Sequence, residues 1–350
     1  MEMTLRADQP RFAALDVSLE KTTICVMSLD GSICREAVVT TDPDEIATWL
    51  AMDQEKLERI GLEAGPLSEW LVRGLANHGI TAVLMETRQI RAALSAMIVK
   101  SDRKDARGMA HLLRMGWFRP VHVKTIDARE QRTMLSARAT LIARLKDIEN
   151  SVRGLLRGYG LRLPLLLRGR WDAGVREAVA GHSSLLQILE PLLTARHVLR
   201  EQLALLDKRV RDTARVDRVC RRLMTTPGVG AIVALTFRAA VDQPDRFRSS
   251  KKIGACFGLT PRKYQSGQTD QDGAISRAGD ASVRVALFEA AHVIMTRVAS
   301  RSTLKAWAMN VARRRGGKRA KVALARKLGI VLHAMWVKET DFRFARPANV

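Results

Sequence analysis

The chain has 350 residues, enough for two or three domains with ample core, and 47% hydrophobic with 27% charged residues are ordinary values for a folded protein. Its formal net charge of +23 and pI near 10.9 are not ordinary: they favour polyanionic partners, nucleic acid first and an anionic membrane surface second. The four cysteines (Cys25, Cys34, Cys220, Cys256) show no CxxC pair or metal-ligand spacing, and no apolar run approaches the roughly 20 residues that span a bilayer.

The N-terminal MEMTLRADQPRF lacks a signal-peptide pattern, so a cytoplasmic, nucleoid-associated protein with no membrane partner is expected. Phe12 to Val17 forms a short apolar strand interrupted by one carboxylate. Thr22 to Leu29 is a second strand, and Asp30-Gly31 signals a hairpin before a third at Ile33 to Thr40. Asp42-Pro43 supplies an N-cap and a proline at the first helical position, opening a helix through Trp49 toward Leu57. A fourth strand at Ile60 to Glu63, a helix at Leu67 to Asn77 closed by Gly79, and a fifth strand at Ile80 to Met85 follow. Helices then start at about Thr87 and run from Asp102 to Met115. Three antiparallel strands followed by alternating helices and strands predict an α/β, ribonuclease-H-like sheet over residues 10–122.

Residues 123–217 change character. Leu135, Ile142, Leu145, Ile148, Val152 and Leu155 recur at helical spacing, and so do Leu185, Leu192, Leu199, Leu203, Leu206 and Val210. Gly158, Gly160 and Pro164 punctuate the space between them. Two long helices in an antiparallel coiled-coil arm fit this pattern, and a plain helical bundle fits it equally. Residues 218–350 predict a mainly α-helical domain, with Thr260 to Asp280 loop-like and a basic cluster at Arg313 to Lys327.

Two groups of residues carry chemistry. Asp16 interrupts an apolar strand and Glu63 ends another, where desolvation makes an unpaired carboxylate costly. Asp102 and Asp105 lie three apart in SDRKDA, so a helix turns both the same way. Four convergent carboxylates need cations, and hard oxygen ligands favour Mg²⁺, with Mn²⁺ as the alternative. Two such ions about 4 Å apart can stabilise both the attacking and the leaving oxygen of a phosphodiester. Taken singly, Asp102 also fits a helix cap, and Asp105 a solvated partner of Lys104 or Arg107.

The second group is C-terminal. Thr226-Pro227-Gly228-Val229-Gly230 resembles a helix-hairpin-helix turn, in which Gly228 and Gly230 let backbone N–H groups approach a phosphate. Arg262, Lys263, Ser266 and Gly267 follow in FGLTPRKYQSG, and on the residues alone Ser266 fits a turn as well as a nucleophile, with Ser249, Ser250, Ser276 and Ser282 as competing hydroxyls. Arg313, Arg314, Arg315, Lys318, Arg319 and Lys321, with Arg326 and Lys327 beyond, suit binding to a phosphate backbone; a solvated helix face is the alternative.

Taken in order, LDVS, LEAG, KSDRKDA, TTPGVG, FGLTPRKYQSG, GAISRAGD and KLGIVLHAMW span nearly the whole chain. In combination they resemble the DEDD-type insertion-sequence transposases of the insertion-sequence 110 and 1111 group, to which Piv-type DNA invertases are related. The resemblance implies a RuvC-like domain whose Asp16, Glu63, Asp102 and Asp105 bind Mg²⁺, a helical arm, and a transposase domain with Ser266 as nucleophile. It also implies double-stranded donor and target DNA, a structured non-coding bridge RNA as guide, and a homo-oligomer, dimer or tetramer, with composite sites. Two other readings are a metal-dependent nuclease or junction resolvase using the acids alone, and a non-catalytic nucleic-acid scaffold.

Overall fold

Strand alternation explains the first unit. In a computed structural model that describes residues 9–52, 57–95, 101–164, 169–300 and 302–344, the chain divides into two units at Lys124 and Thr125. In the first, β1 (Arg11–Val17), β2 (Lys21–Ser28) and β3 (Ile33–Thr40) form an antiparallel meander. β4 (Leu57–Glu63) and β5 (Ala82–Met85) add in parallel beside β1, and β6 (Pro120–Val121) closes the edge antiparallel to β5. The order β3-β2-β1-β4-β5-β6 is the expected ribonuclease-H-like arrangement.

The sheet is buried on both faces. Ala13, Leu15, Ile60 and Leu62 pack on one side against helices α1 (Pro43–Ala51) and α2 (Ser68–Asn77). Phe12, Ala14, Cys25 and Met27 pack on the other against α4 (Asp102–Arg114), with Ile90 of α3 (Thr87–Leu94) beside them. A sheet covered twice needs continuous apolar runs, which is why β1 and β2 were legible as strands. Asp42 caps α1 by accepting from the N–H groups of Asp44 and Glu45, ahead of Pro43.

Two boundaries differ from expectation. The helix that opens at Pro43 ends at Ala51, and Leu57 already begins β4, because Leu57 and Arg59 pair with Arg11 and Phe12 at the foot of β1. Strand pairing overrides the weak helical pattern there. β6 has only two residues, too few for any periodic signal.

In the second unit, α5 (Ile126–Arg157) and α7 (Ser183–Val216) run antiparallel: Arg138 meets Asp207, and Arg196 meets Glu149 at 2.7 Å. Short α6 (Trp171–Ala178) packs at their far end on Val152, Leu156, Leu189 and Leu193. There the buried Arg196 guanidinium also binds Asp172 and stacks 4.5 Å from the centre of the Trp171 ring. At the other end, α8 (Arg218–Met224), α9 (Ala231–Val241), α10 (Lys252–Cys256), α11 (Ala281–Thr296), α12 (Thr303–Arg315) and α13 (Gly317–Val337) enclose a core around Phe237, Leu287, Leu328 and Leu332. From it projects a hairpin, β7 (Pro261–Ser266) and β8 (Thr269–Ile275).

That hairpin corrects the loop expected over Thr260 to Asp280. Nearly every residue of both strands is exposed, so neither carries the apolar alternation by which strands are recognised. Among the described residues no helix is long and apolar enough to cross a membrane.

The contact of α4 with the sheet is tight at Gly61, where an added Cβ would lie 2.7 Å from Leu113 Cδ2. Gly61→Ala should therefore push α4 away from β4 and destabilise the first unit by about 1–3 kcal/mol. The check is the urea unfolding midpoint; an unchanged midpoint would show that Leu113 moves aside freely.

Candidate functional site

Parallel pairing matches Leu15 with Leu62, so the next residues along, Asp16 and Glu63, sit side by side at the C-terminal ends of β1 and β4. Phe12 and Ala14 of β1, and Gly61 of β4, face α4, and by alternation Asp16 and Glu63 face the same way. Both are half-buried. Arg91 approaches Glu63 at 3.8 Å.

Helix α4 brings the other two acids. Its C-terminal end lies near the start of β1, where Arg114 donates to the Leu29 carbonyl at 2.8 Å. One turn and more upstream, Arg107 reaches Glu36 in mid-sheet, so the helix N-terminus points toward the Asp16 end. Ser101 caps that N-terminus by accepting from Lys104 N–H. Arg107 donates two hydrogen bonds to Glu36 on β3, at 2.6 and 2.7 Å, and Arg103 approaches the same carboxylate at 3.5 Å. With about 100° per residue, the flank opposite Arg103 and Arg107 carries Asp105, with Asp102 adjoining it on the side of β1 and β4.

All four acids thus share one face and one end of the sheet. As placed, no three carboxylate, histidine or cysteine side chains among the described residues lie close enough together to hold a metal ion. The donor set suits a hard divalent cation in its chemistry, carboxylate oxygens alone.

The Glu36 clamp was not foreseen. Arg107 holds the Glu36 carboxyl below the usual glutamate range, outweighing its burial. Burial and the adjacent Glu36 in turn push the Cys25 thiol up to about 12, so Cys25 stays a protonated core side chain. The one sequence clue was an acid on the α4-facing side of β3 together with arginines in SDRKDAR.

The C-terminal residues separate into distinct settings. TTPGVG joins α8 to α9, and Gly228 has φ +79°, with an added Cβ 2.8 Å from Ile294 and 3.0 Å from the Ala290 carbonyl. Its missing side chain therefore admits α11 on that side. Gly230, at the N-cap of α9, has open space around it.

Arg315, Lys318 and Arg319, with Lys251, Arg326 and Lys327, line a cavity of about 1270 Å³. Leu259, Ile275 and Trp307 are among its apolar lining, and Lys327 stacks 4.2 Å from the Trp307 ring. Arg313 and Arg314 are exposed and Lys321 half-buried, all three outside this lining. Pro261, Asp272 and Gly273, toward the base of the hairpin, also line it.

Ser266 sits at the hairpin tip, paired with Thr269 across the two-residue turn Gly267-Gln268. Gly267 has φ +55° and Gln268 is not in the left-handed region, the pattern of a type II′ turn with glycine first. Arg262 and Lys263 are exposed on the same strand. The competing hydroxyls all have local partners: Ser249 caps Lys251 N–H, Ser250 bonds His333, Ser276 accepts from Ala278 N–H, and Ser282 donates to Asp280. Among the described residues the Ser266 hydroxyl has none.

Residues 220–308 match the model of the Transposase IS116/IS110/IS902 family, and residues 13–161 match a second model, a transposase of the DEDD IS110 type. The chain is 27% identical over 291 residues to the transposase for insertion sequence element IS1111A of Coxiella burnetii, covering 80% of this chain and 77% of that one. It is 26% identical over 290 residues to a probable family 20 transposase of Pseudomonas aeruginosa, covering 81% and 85%. T. thermophilus RuvC in complex with Holliday junction substrate aligns with 32% of this chain and 99% of its own at 15% identity, with a TM-score of 0.25, a likeness too slight to carry weight. The matches define a DNA recombinase of the transposase class. The chain belongs to the DEDD-type transposases of the IS110 and IS1111 insertion sequences.

Two predictions follow from this geometry. Because the folded pKa of Glu36 is depressed, its contribution is present above the ordinary glutamate value of roughly 4.3 and is lost as pH falls below it. Urea unfolding of Glu36→Gln should therefore show a weaker acid dependence between neutral pH and pH 3 than the parent; parallel curves would disprove the clamp. Lys318→Ala and Arg319→Ala should each weaken duplex DNA binding irrespective of sequence and reduce the salt slope by about 1. An unaltered slope in a salt titration would remove these residues from the interface.

Proposed function

We propose that this transposase cuts and rejoins double-stranded donor and target DNA through Ser266, with Asp16, Glu63, Asp102 and Asp105 holding a divalent ion, Mg²⁺ first and Mn²⁺ as the substitute. The observation that carries this reading is the setting of Ser266: an unengaged hydroxyl at the tip of a polar hairpin whose base helps line a basic groove.

Ser266 Oγ forms a bond to phosphorus as the bond from phosphorus to a sugar oxygen breaks, and the proton lost by the serine ends on the released sugar hydroxyl. The phosphoserine linkage retains the energy of the phosphodiester, so attack by a new sugar hydroxyl restores the serine and seals the strand without ATP. A divalent ion in the acidic set would neutralise phosphate charge and lower the pKa of the attacking hydroxyl. Arg262, on the serine's face of the same strand, brings positive charge to its approach, while Lys263 is ion-paired to Asp270 on the other face. Gly267 permits close backbone approach at the tip.

The acids belong to one unit and the serine to the other, which suits a composite site in which two copies of a dimer or tetramer contribute different parts. The basic groove, with Gly230 and the exposed Arg313 and Arg314, would follow a nucleic-acid backbone without reading its sequence. Specificity would then reside in base pairing to a structured guide RNA, the family property that the motif order implies.

The test is a joining assay with the full chain, donor and target DNA, Mg²⁺, and RNA transcribed from the non-coding DNA flanking its gene. Ser266→Ala and Asp16→Ala should each reduce joining to background. Full joining by both variants would refute the assignments. Strand cleavage that persists in Ser266→Ala would instead establish a nuclease that uses the acids alone.

A further inference from the structure

The hairpin has two chemically different faces. Side chains alternate along a strand, so Arg262, Tyr264 and Ser266 share one face of β7. Gln271 and Thr269 pair directly with Tyr264 and Ser266 and lie on that face too. Lys263 and Gln265 occupy the opposite face with their partners Asp272 and Asp270, and Lys263 is ion-paired to Asp270 at 3.0 Å. Both carboxylates of the hairpin therefore point away from the serine. A strand that approaches Ser266 meets a guanidinium and an aromatic ring, with no hairpin carboxylate to repel it.

Tyr264 is not in a core. It is 58% exposed, while its ring edge lies over Gly273, where an added Cβ would come within 2.9 Å of Cε2. A ring laid across a strand glycine is held in place without burying its surface. That is the construction of a stacking platform: an aromatic plane fixed from below and open above, beside a cation and next to a basic groove. Residues two apart on a strand are about 7 Å apart, roughly one nucleotide's reach from the hydroxyl of Ser266.

Resting on the assignment of Ser266 as nucleophile, we propose that Tyr264 contacts the substrate directly, stacking on an unpaired base beside the phosphate that Ser266 attacks. Stacking tolerates any base, which suits an enzyme whose protein surface reads no sequence. It also selects a strand whose bases are already unstacked, so the ligand class is a locally single-stranded nucleotide.

The probe is a single-stranded DNA of mixed sequence carrying 5-iododeoxyuridine, whose photochemistry joins it to stacked aromatic side chains. The chain has two tyrosines, Tyr159 and Tyr264, so peptide mapping separates them. With full-length Ser266→Ala protein, the adduct should map to Tyr264. In the joining assay, Tyr264→Phe should stay within about twofold of the parent, and Tyr264→Leu, which still covers Gly273, should lose roughly ten- to hundredfold. No adduct at Tyr264, or joining by Tyr264→Leu at the parental rate, would overturn the proposal. The cross-link reads the ring in protein that lacks the serine hydroxyl. An active Ser266→Ala would therefore sink the nucleophile assignment, whereas a missing adduct would sink only the stacking role.

Discussion

The parallel pairing of β1 with β4 is the constraint from which the proposed acidic site follows. It sets Asp16 and Glu63 side by side at the strand ends, and alternation turns both toward the helix-covered face. A slip of one residue in either strand would send one of the acids to the opposite face. The register is held by burial on both sides: Leu15 and Leu62 fill one core, while Ala14 and Gly61 admit α4 on the other.

Helix α4 carries the other two acids. The two hydrogen bonds from Arg107 to Glu36, with Arg103 close by, lie on the flank opposite Asp105 and match the rotation that leaves Asp102 and Asp105 on the side of β1 and β4. Burial of Ala106, Met109, Ala110 and Leu113 sets the same rotation, and the ion pair lies on its flank. The second unit solves a different problem. A rigid helical core presents one polar hairpin, and a basic groove lies at its base.

Much of this was legible in the sequence for identifiable reasons. β1 and β2 are continuous apolar runs because both faces of the sheet are covered, and Asp42-Pro43 announces α1 by capping chemistry. The carboxylates stood out because Asp16 and Glu63 interrupt or end such runs. The hairpin at Pro261–Ile275 was not legible as strands, since its stability comes from cross-strand pairs and a glycine turn rather than from a buried face. Glu36 was hidden for a related reason: a charged residue on an exposed-looking strand gives no sign of a partner 71 positions away. The packing role of Gly228 was hidden too: a glycine-rich turn gives no sign that α11 fills the space a side chain would occupy.

The central claim is that the acidic face and the hairpin serine act on the same phosphate. Trapping the covalent protein–DNA species and mapping the attached residue tests it most directly, in the parent and in Asp16→Ala. An adduct on Ser266 that forms in the parent and vanishes in Asp16→Ala is the expected result. An adduct on another residue, or one on Ser266 at undiminished yield without Asp16, would contradict it.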